Sequence, residues 1–315
     1  MSPIYTTQGS TSVKRSHDEL LTLDLSFGHP PGKHLMAGKF DISEALYKMQ
    51  SSIKQCKWKV SLEEHVHVVL AATSILLLTP NKYLDKIKHF FDLKDWNTAI
   101  SSVKMMYDIQ PPPTPLNMEG NAFKFVKGLS VLIMKLPRFP IVEDINETEL
   151  CTRFVDPLLM GLFDDPDNGV YLRRTNETTM EAKQNNSCID HCPDLCITKS
   201  CGEKWGADCG YGEAKPAARD NDHFLVCMDL LRVALLSKES LDKQCLDGVL
   251  GVQIVGRTLT FYVLLLPAEE VYTLLQLAEV KIPDSLQSLS HLIMDISTIL
   301  CLMDVFDRLC VPTDE

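Results

Sequence analysis

The sequence predicts an α+β protein, a helical N-terminal module followed by a mixed domain of strands and helices. Three observations predict it. Two capping boxes, Asp41-Ile42-Ser43-Glu44 and Ser61-Leu62-Glu63-Glu64, open helical periodicity within the first hundred residues. Pro111-Pro112-Pro113-Thr114-Pro115 then breaks the chain with a stiff, polyproline-like stretch. Beyond it, short apolar and β-branched runs such as Leu250 to Val255 and Thr258 to Leu266 read as strands between amphipathic segments.

Residues 1–35 are rich in Ser, Thr, Gly and Pro with little periodicity, and read as disordered. Residues 36–110 form the helical module. Its first helix runs from Asp41 to about Cys56, and its second is an apolar helix from Ser61 that Pro80 stops. Asn81 caps a segment from Lys82 to Phe91, and Asp95 or Asn97 starts a further helix through Met106. Nothing in this module has catalytic chemistry, so its expected role is packing or binding a protein partner. His65 and His67, two apart on a helix, point in different directions and make a poor metal pair. Residues 111–140 are a Pro-rich linker with one helix, Asn121 to Leu136, ended by Pro137 and Pro140.

The third segment, 141–315, opens with Asn146-Glu147-Thr148-Glu149 ahead of a helix over Leu150 to Phe163. Glu149, three residues after Asn146, fits the capping-box partner. Glu147 falls on the face of Leu150, Cys151, Phe154 and Leu158, the face that packs on a sheet, and is the candidate third acid. Val170 to Thr175 is a short strand. Asp194 opens an apolar run, Leu195 to Ile197, and Tyr211 to Ala214 forms a second. Turn sequence lies between them, with Trp205, Gly206 and Asp208 as loop residues. Asp220 or Asn221 caps a helix from Asp222 to about Ser237, strands follow on either side of Gly256-Arg257, and residues 268–280 and 284–309 read as amphipathic helices.

Composition is ordinarily globular, with 45% hydrophobic and 23% charged residues in 315. The first thirty residues lack an apolar signal-peptide core. The run from Val66 to Leu78 is too short to span a bilayer, so no membrane association is expected. Eleven cysteines without a secretory signal imply a reducing, intracellular setting, nucleus or cytoplasm. The Asn-X-Ser/Thr triplets at Asn146, Asn176 and Asn185 then carry no glycosylation meaning.

Net charge is −11, unevenly divided. Residues 1–140 hold 17 Lys and Arg against 12 Asp and Glu, whereas residues 141–315 hold 14 against 30. Phosphate binding relies on basic side chains, so the acidic half is a poor match to a free-standing nucleic-acid binder.

The residues carrying chemistry are Pro193-Asp194 and, after eighteen intervening residues, Glu213-Ala214-Lys215. Strand alternation points Glu213 and Lys215 the same way, roughly 7 Å apart. If the two runs pair as a hairpin, Asp194 lies beside Glu213. Two carboxylates that close repel unless a cation sits between them, and hard oxygen ligands suit Mg²⁺. A surface hairpin with an ordinary charge pair is the plain alternative, and a second Glu-X-Lys at Glu181-Ala182-Lys183 shows that the short pattern recurs.

This arrangement resembles the PD-(D/E)XK nuclease superfamily, and within it is similar to uncharacterised fungal nuclease-like proteins that share segments such as Tyr211-Gly212-Glu213-Ala214-Lys215. The resemblance covers roughly residues 145–266. It implies a restriction-endonuclease-like α-β-β-β-α-β core with extra C-terminal helices. It also implies Mg²⁺ (or Mn²⁺) held by Asp194, Glu213 and Glu147, with Lys215 supporting water attack on a phosphodiester. An inactive descendant serving as a binding module is the alternative. Arg232 and Lys238 on the following helix are candidate phosphate contacts, and Gln253 on the next strand a candidate for a base edge or a metal-held water. Cys188, Cys192, Cys196, Cys201 and Cys209 crowd around His191 and raise zinc, but without the CxxC spacing that signals it. Cys192 beside His191 also lacks the facing geometry of a nucleophile and its base.

Overall fold

Among the described residues, seven strands form one mixed sheet between two layers of helices. The computed structural model describes residues 32–54, 62–80, 87–110, 119–174, 193–244 and 246–312. A two-residue ribbon, β1 (Met36–Ala37) with β2 (Phe40–Asp41), leads into α1 (Ile42–Lys54). The N-cap half of the capping box expected there is made, with Asp41 Oδ1 accepting from the Glu44 amide at 2.9 Å, while the Glu44 carboxylate turns to Lys48 instead. After α2 (Leu62–Ala72) the chain turns through Ser74, at φ +64°, into β3 (Ile75–Leu78). α3 (Leu93–Met106) and α4 (Glu119–Lys135) follow. Next come α5 (Glu147–Glu149), a π-helical run Leu150–Val155, and α6 (Asp156–Phe163).

β4 (Val170–Arg173), β5 (Leu195–Cys201) and β6 (Lys204–Lys215) are an antiparallel meander. α7 (His223–Gln244) crosses over and returns the chain as β7 (Gly248–Val255), parallel to β6. β8 (Thr258–Ala268) and β9 (Val271–Lys281) extend the sheet antiparallel, and β3 closes it in parallel beside β9. The order across the sheet is β3-β9-β8-β7-β6-β5-β4. α8 (Leu289–Met294) and α9 (Ile296–Val305) end the described chain with a π-helical turn.

Alternation assigns the faces. Leu195, Ile197, Ala214 and Val252 join α4, α6 and α9 in one core layer. Cys196 and Tyr211 join Leu231 and Ala234 of α7 and Leu70 of α2 in the other.

Three expectations are corrected. Residues 268–280 are not an amphipathic helix but mostly β9, because Val271-Tyr272-Thr273-Leu274-Leu275 is β-branched, aromatic and buried on both faces between β3 and β8. The second apolar helix does not reach Pro80. Ile75-Leu76-Leu77-Leu78 is a strand of the main sheet, so the N-terminal module is not helical throughout. Trp205, Gly206 and Asp208 are strand residues of β6, and the hairpin loop is only Gly202-Glu203, with Gly202 at φ +60°. Several features lie outside the described residues: the segment 1–31, the polyproline stretch, the 181–183 repeat, and Cys188, His191 and Cys192.

α4 and α6 cross on two glycines. A Cβ added to Gly161 would stand 2.1 Å from Gly128 Cα, a backbone atom that cannot rotate away. Gly161→Ala is therefore expected to destabilise the protein by about 1–3 kcal/mol or more, through forced separation of the helices. Urea unfolding measures this as a lowered midpoint at unchanged slope. A wild-type midpoint would contradict the close crossing.

Candidate active site

The β5–β6 pairing brings the motif residues together. Leu195 lies opposite Gly212 and Cys196 opposite Tyr211, so the next pair outward sets Asp194 against Glu213 on the face that α7 covers. Asp194 is half-buried, and its Oδ2 accepts from the Ala214 amide at 2.8 Å, which fixes the carboxylate against β6. Leu195, Ile197 and Ala214 face the opposite core layer, as alternation predicts.

Glu213 is 1% exposed. Its Oε2 accepts from Arg232 Nη1 of α7 at 3.3 Å, while its Oε1 is buried with no hydrogen-bond partner. Burial first, and the neighbouring Asp194 second, push its carboxyl up to about 8 against the pull of Arg232. Lys215 Nζ pairs with Asp229 Oδ2 of α7 at 3.2 Å and donates to the Ala214 carbonyl at 3.2 Å. Burial alone would lower the Lys215 amine, but Asp229 together with Asp194 and Glu213 outweighs it and holds the amine above its ordinary value. Asp229 is itself 4% exposed and pushed up to about 6, chiefly by burial.

Asp229 is the site residue that sequence reasoning missed. The signal was an Asp on α7 flanked by Met228 and Leu230, in a helix interior where a carboxylate is unfavourable unless it has a partner.

Glu147 is a correction. Leu150, Cys151, Phe154 and Leu158 are buried as expected, but Glu147 is exposed. The π-helical run that starts at Leu150 takes more residues per turn, so positions before it rotate off the α-helical stripe. Glu147 and Asp194 both act on the intervening Cys151, whose thiol burial pushes up to about 11, but Glu147 is absent from the charges acting on Glu213. The capping box expected at Asn146 is half made: the Glu149 amide donates to Asn146 Oδ1, but the Glu149 carboxylate pairs with Arg153 instead of returning to the cap.

The flanking candidates divide. Arg232, 38% exposed at its side chain, stands at Glu213. Gln253 is the register neighbour of Glu213 on β7, but its Nε2 is committed to the Val226 carbonyl at 2.6 Å and the residue is buried, so it braces α7 against the sheet. Lys238 does not face the hairpin. It donates to the Thr73 carbonyl at 2.8 Å and lies over the Tyr272 ring, tying α7 to the β3 side.

The described cysteines do not converge. Cys196 and Cys209 sit in opposite core layers and Cys201 is exposed. Among the described residues no three His, Cys, Asp or Glu side chains form a ready ligand group, so Glu147 does not join Asp194 and Glu213. What remains fits a hard cation that takes one or two carboxylates and otherwise keeps water or phosphate, as Mg²⁺ does. The orphaned Oε1 of Glu213 is the donor such an ion would use.

The raised carboxyl makes a stability prediction. Because Glu213 has its native value near 8 and an unfolded value of 4.5, the native state keeps a proton that the unfolded chain has lost. Stability is then greatest at the acid end of that window. It falls as pH rises toward about 8, and Asp229 adds to the slope below about 6. The loss is on the order of a few kcal/mol. Urea unfolding in EDTA across this window is expected to show the slope in wild type and a flatter one in Glu213→Gln. Equal slopes would place Glu213 in a more polar setting than its burial implies.

Comparison of the chain with protein-family models, with curated proteins and with solved structures returns no match. Among the described residues no single helix is long and apolar enough to cross a membrane.

Proposed function

We propose that the chain is a divalent-metal-dependent nuclease that hydrolyses nucleic-acid phosphodiester bonds, with Asp194 and Glu213 holding Mg²⁺ or Mn²⁺ beside Lys215. The observation that carries this reading is the pairing of Asp194 with a buried Glu213 whose Oε1 has no partner. The succession of helix, three antiparallel strands, α7 and a parallel β7 supports it, since a restriction-endonuclease-like core has that order and carries its acids on the second and third strands.

The cation would supply Lewis-acid polarisation of the phosphodiester. The residues of the chain do the rest. Asp194 is aimed by the Ala214 amide. Glu213 must release its proton to act as a ligand, so occupancy strengthens toward pH 8. Lys215, kept charged by Asp229, steadies developing negative charge. Arg232, partly exposed beside Glu213, offers a guanidinium to the phosphate.

The test is cleavage of single- and double-stranded DNA and RNA by the purified chain with Mg²⁺, Mn²⁺ or EDTA. Cleavage dependent on either ion is expected. A second reading, a nuclease-like module that binds a partner without catalysis, is favoured by two observations. Lys215 and Glu213 already have internal partners in Asp229 and Arg232, and residues 141–315 carry 30 acidic against 14 basic side chains. Absence of cleavage on every substrate by folded protein would select it.

A further inference from the structure

The β4–β5–β6 meander carries two aromatic rings and a cation at the end away from the acid site. Trp205, 43% exposed, meets Tyr171 edge to face with ring centroids 5.3 Å apart, and the Arg173 guanidinium lies 4.0 Å from the Trp205 ring centroid. Register explains the meeting. Tyr171 of β4 pairs with Thr198 of β5, and Ser200 of β5 pairs with Trp205 of β6. The two rings therefore flank β5 on one face, where the small Thr198 and Ser200 side chains leave room between them. Arg173 pairs with Cys196, which faces α7, so the group shares the sheet face of Asp194 and Glu213.

We propose that this group is a stacking platform for the bases of single-stranded nucleic acid. It makes single strands the substrate class of the acid site, and in that it rests on the nuclease reading. Position supports it. Along β5, Cys196 is two residues from Asp194 and Ser200 is six, so at about 3.4 Å per residue the platform runs from about 7 Å to about 20 Å from the acid. At the roughly 3.4 Å spacing of stacked bases, one strand of about six nucleotides reaches both.

Chemistry selects the base. Every base has a π-face that an indole or a guanidinium plane can cover, and that face is open only where the base is out of a duplex. The Arg173 cation is not spent elsewhere. Among the described residues it has no carboxylate partner, whereas its neighbour Arg174 is held by Asp156 at 2.7 Å. The three side chains already hold one another, so little rotamer freedom is lost when a base arrives. Charge agrees. Residues 141–315 carry 30 acidic against 14 basic side chains, which disfavours a ligand held by phosphate neutralisation. Stacking draws its affinity from ring faces, and so reconciles an acidic domain with a polyanionic substrate.

Tryptophan fluorescence in EDTA, where metal-dependent cleavage cannot intervene, tests the platform. The chain has three tryptophans, Trp58, Trp96 and Trp205, and the signal sought is the part that Trp205→Leu removes. Oligothymidylate and oligouridylate of about 16 nucleotides, the most that one single-strand fold covers, are the probes. Saturable quenching of wild type is expected, and the two affinities tell DNA from RNA. A duplex of the same length is expected to bind about tenfold more weakly, because its bases are already stacked. By anisotropy, Trp205→Leu is expected to weaken single-strand binding about tenfold or more and Arg173→Gln severalfold, whereas Trp205→Phe keeps a ring face and stays within about threefold of wild type. Binding without quenching, equal binding of the duplex, or wild-type affinity in Trp205→Leu would overturn the platform. No binding of either oligomer would overturn it too, and would leave the rings to a protein partner. If single strands bind through Trp205 but no ion supports cleavage, the platform stands and the nuclease reading falls. If single strands and duplexes are cut alike in wild type and Trp205→Leu, the nuclease reading stands and the platform falls.

Discussion

Asp194→Asn is expected to remove divalent-cation binding and to lower cleavage by about 10²–10³-fold or more, the usual cost of deleting one preorganised electrostatic group. The change is well posed because the fold has little stake in the charge. Asp194 accepts from the Ala214 amide through one oxygen, and the Asn carbonyl oxygen can accept the same bond. A neutral amide is a poorer ligand for a hard cation, so binding is lost while the strand pairing is kept. Titration calorimetry with Mn²⁺ reads the binding and gel assays read the cleavage.

The pH profile adds a signature that mere weakening would lack. Glu213 releases its proton near pH 8, so wild-type Mn²⁺ affinity is expected to rise between about pH 6 and 8 and to release a proton on binding. Wild-type calorimetric titration in Asp194→Asn would remove Asp194 from the metal site, and with it the account of Asp194 and Glu213 as a pair sharing one cation.

How far the chain could be read in advance depended on whether a signal was local. Asp41 and Asn146 cap the helices that begin beside them, since a cap needs only its own turn. The Asp194–Glu213 pairing was legible from period two, because strand alternation fixes faces without knowledge of neighbours. Ile75 to Leu78 and Val271 to Lys281 were not legible as strands. They pair with each other across nearly two hundred residues, and an apolar run buried on both faces has no period to read.

Asp229 escaped for the same reason. Its meaning lies in Lys215, which the β6–α7–β7 crossover brings to it. Glu147 failed through a phase error: the stripe was drawn with 3.6 residues per turn across a segment wound as a π-helix. The pairing of β3 with β9 also changes how charge is to be tested, since a chain cut at residue 140 would lose a sheet strand along with its basic residues.

Lys215→Ala separates an enzyme from a binding module most sharply, because its effects on activity and on stability can be uncoupled. Cleavage is expected to fall by about 10²–10³-fold while Mn²⁺ binding persists, since the amine acts on charge and water rather than as a ligand. The same change strands Asp229, which is 4% exposed and paired only 3.2 Å from the lost nitrogen. Removing one partner of a buried pair costs about 3–5 kcal/mol.

That cost should shrink as pH falls, because Asp229 can take up a proton and no longer needs a cation. Without Lys215 to hold it down, Asp229 does so above the value of about 6 that it has in the wild type. Lys215→Ala combined with Asp229→Asn then decides between the readings. Stability is expected to return toward wild type, because neither side of the pair is left charged and buried, while cleavage stays lost. If the double variant regained both stability and cleavage, the amine would have no part in the chemistry. If the wild type itself cut nothing while Lys215→Ala still cost several kcal/mol, the pair would be a brace between β6 and α7, and the binding-module reading would stand.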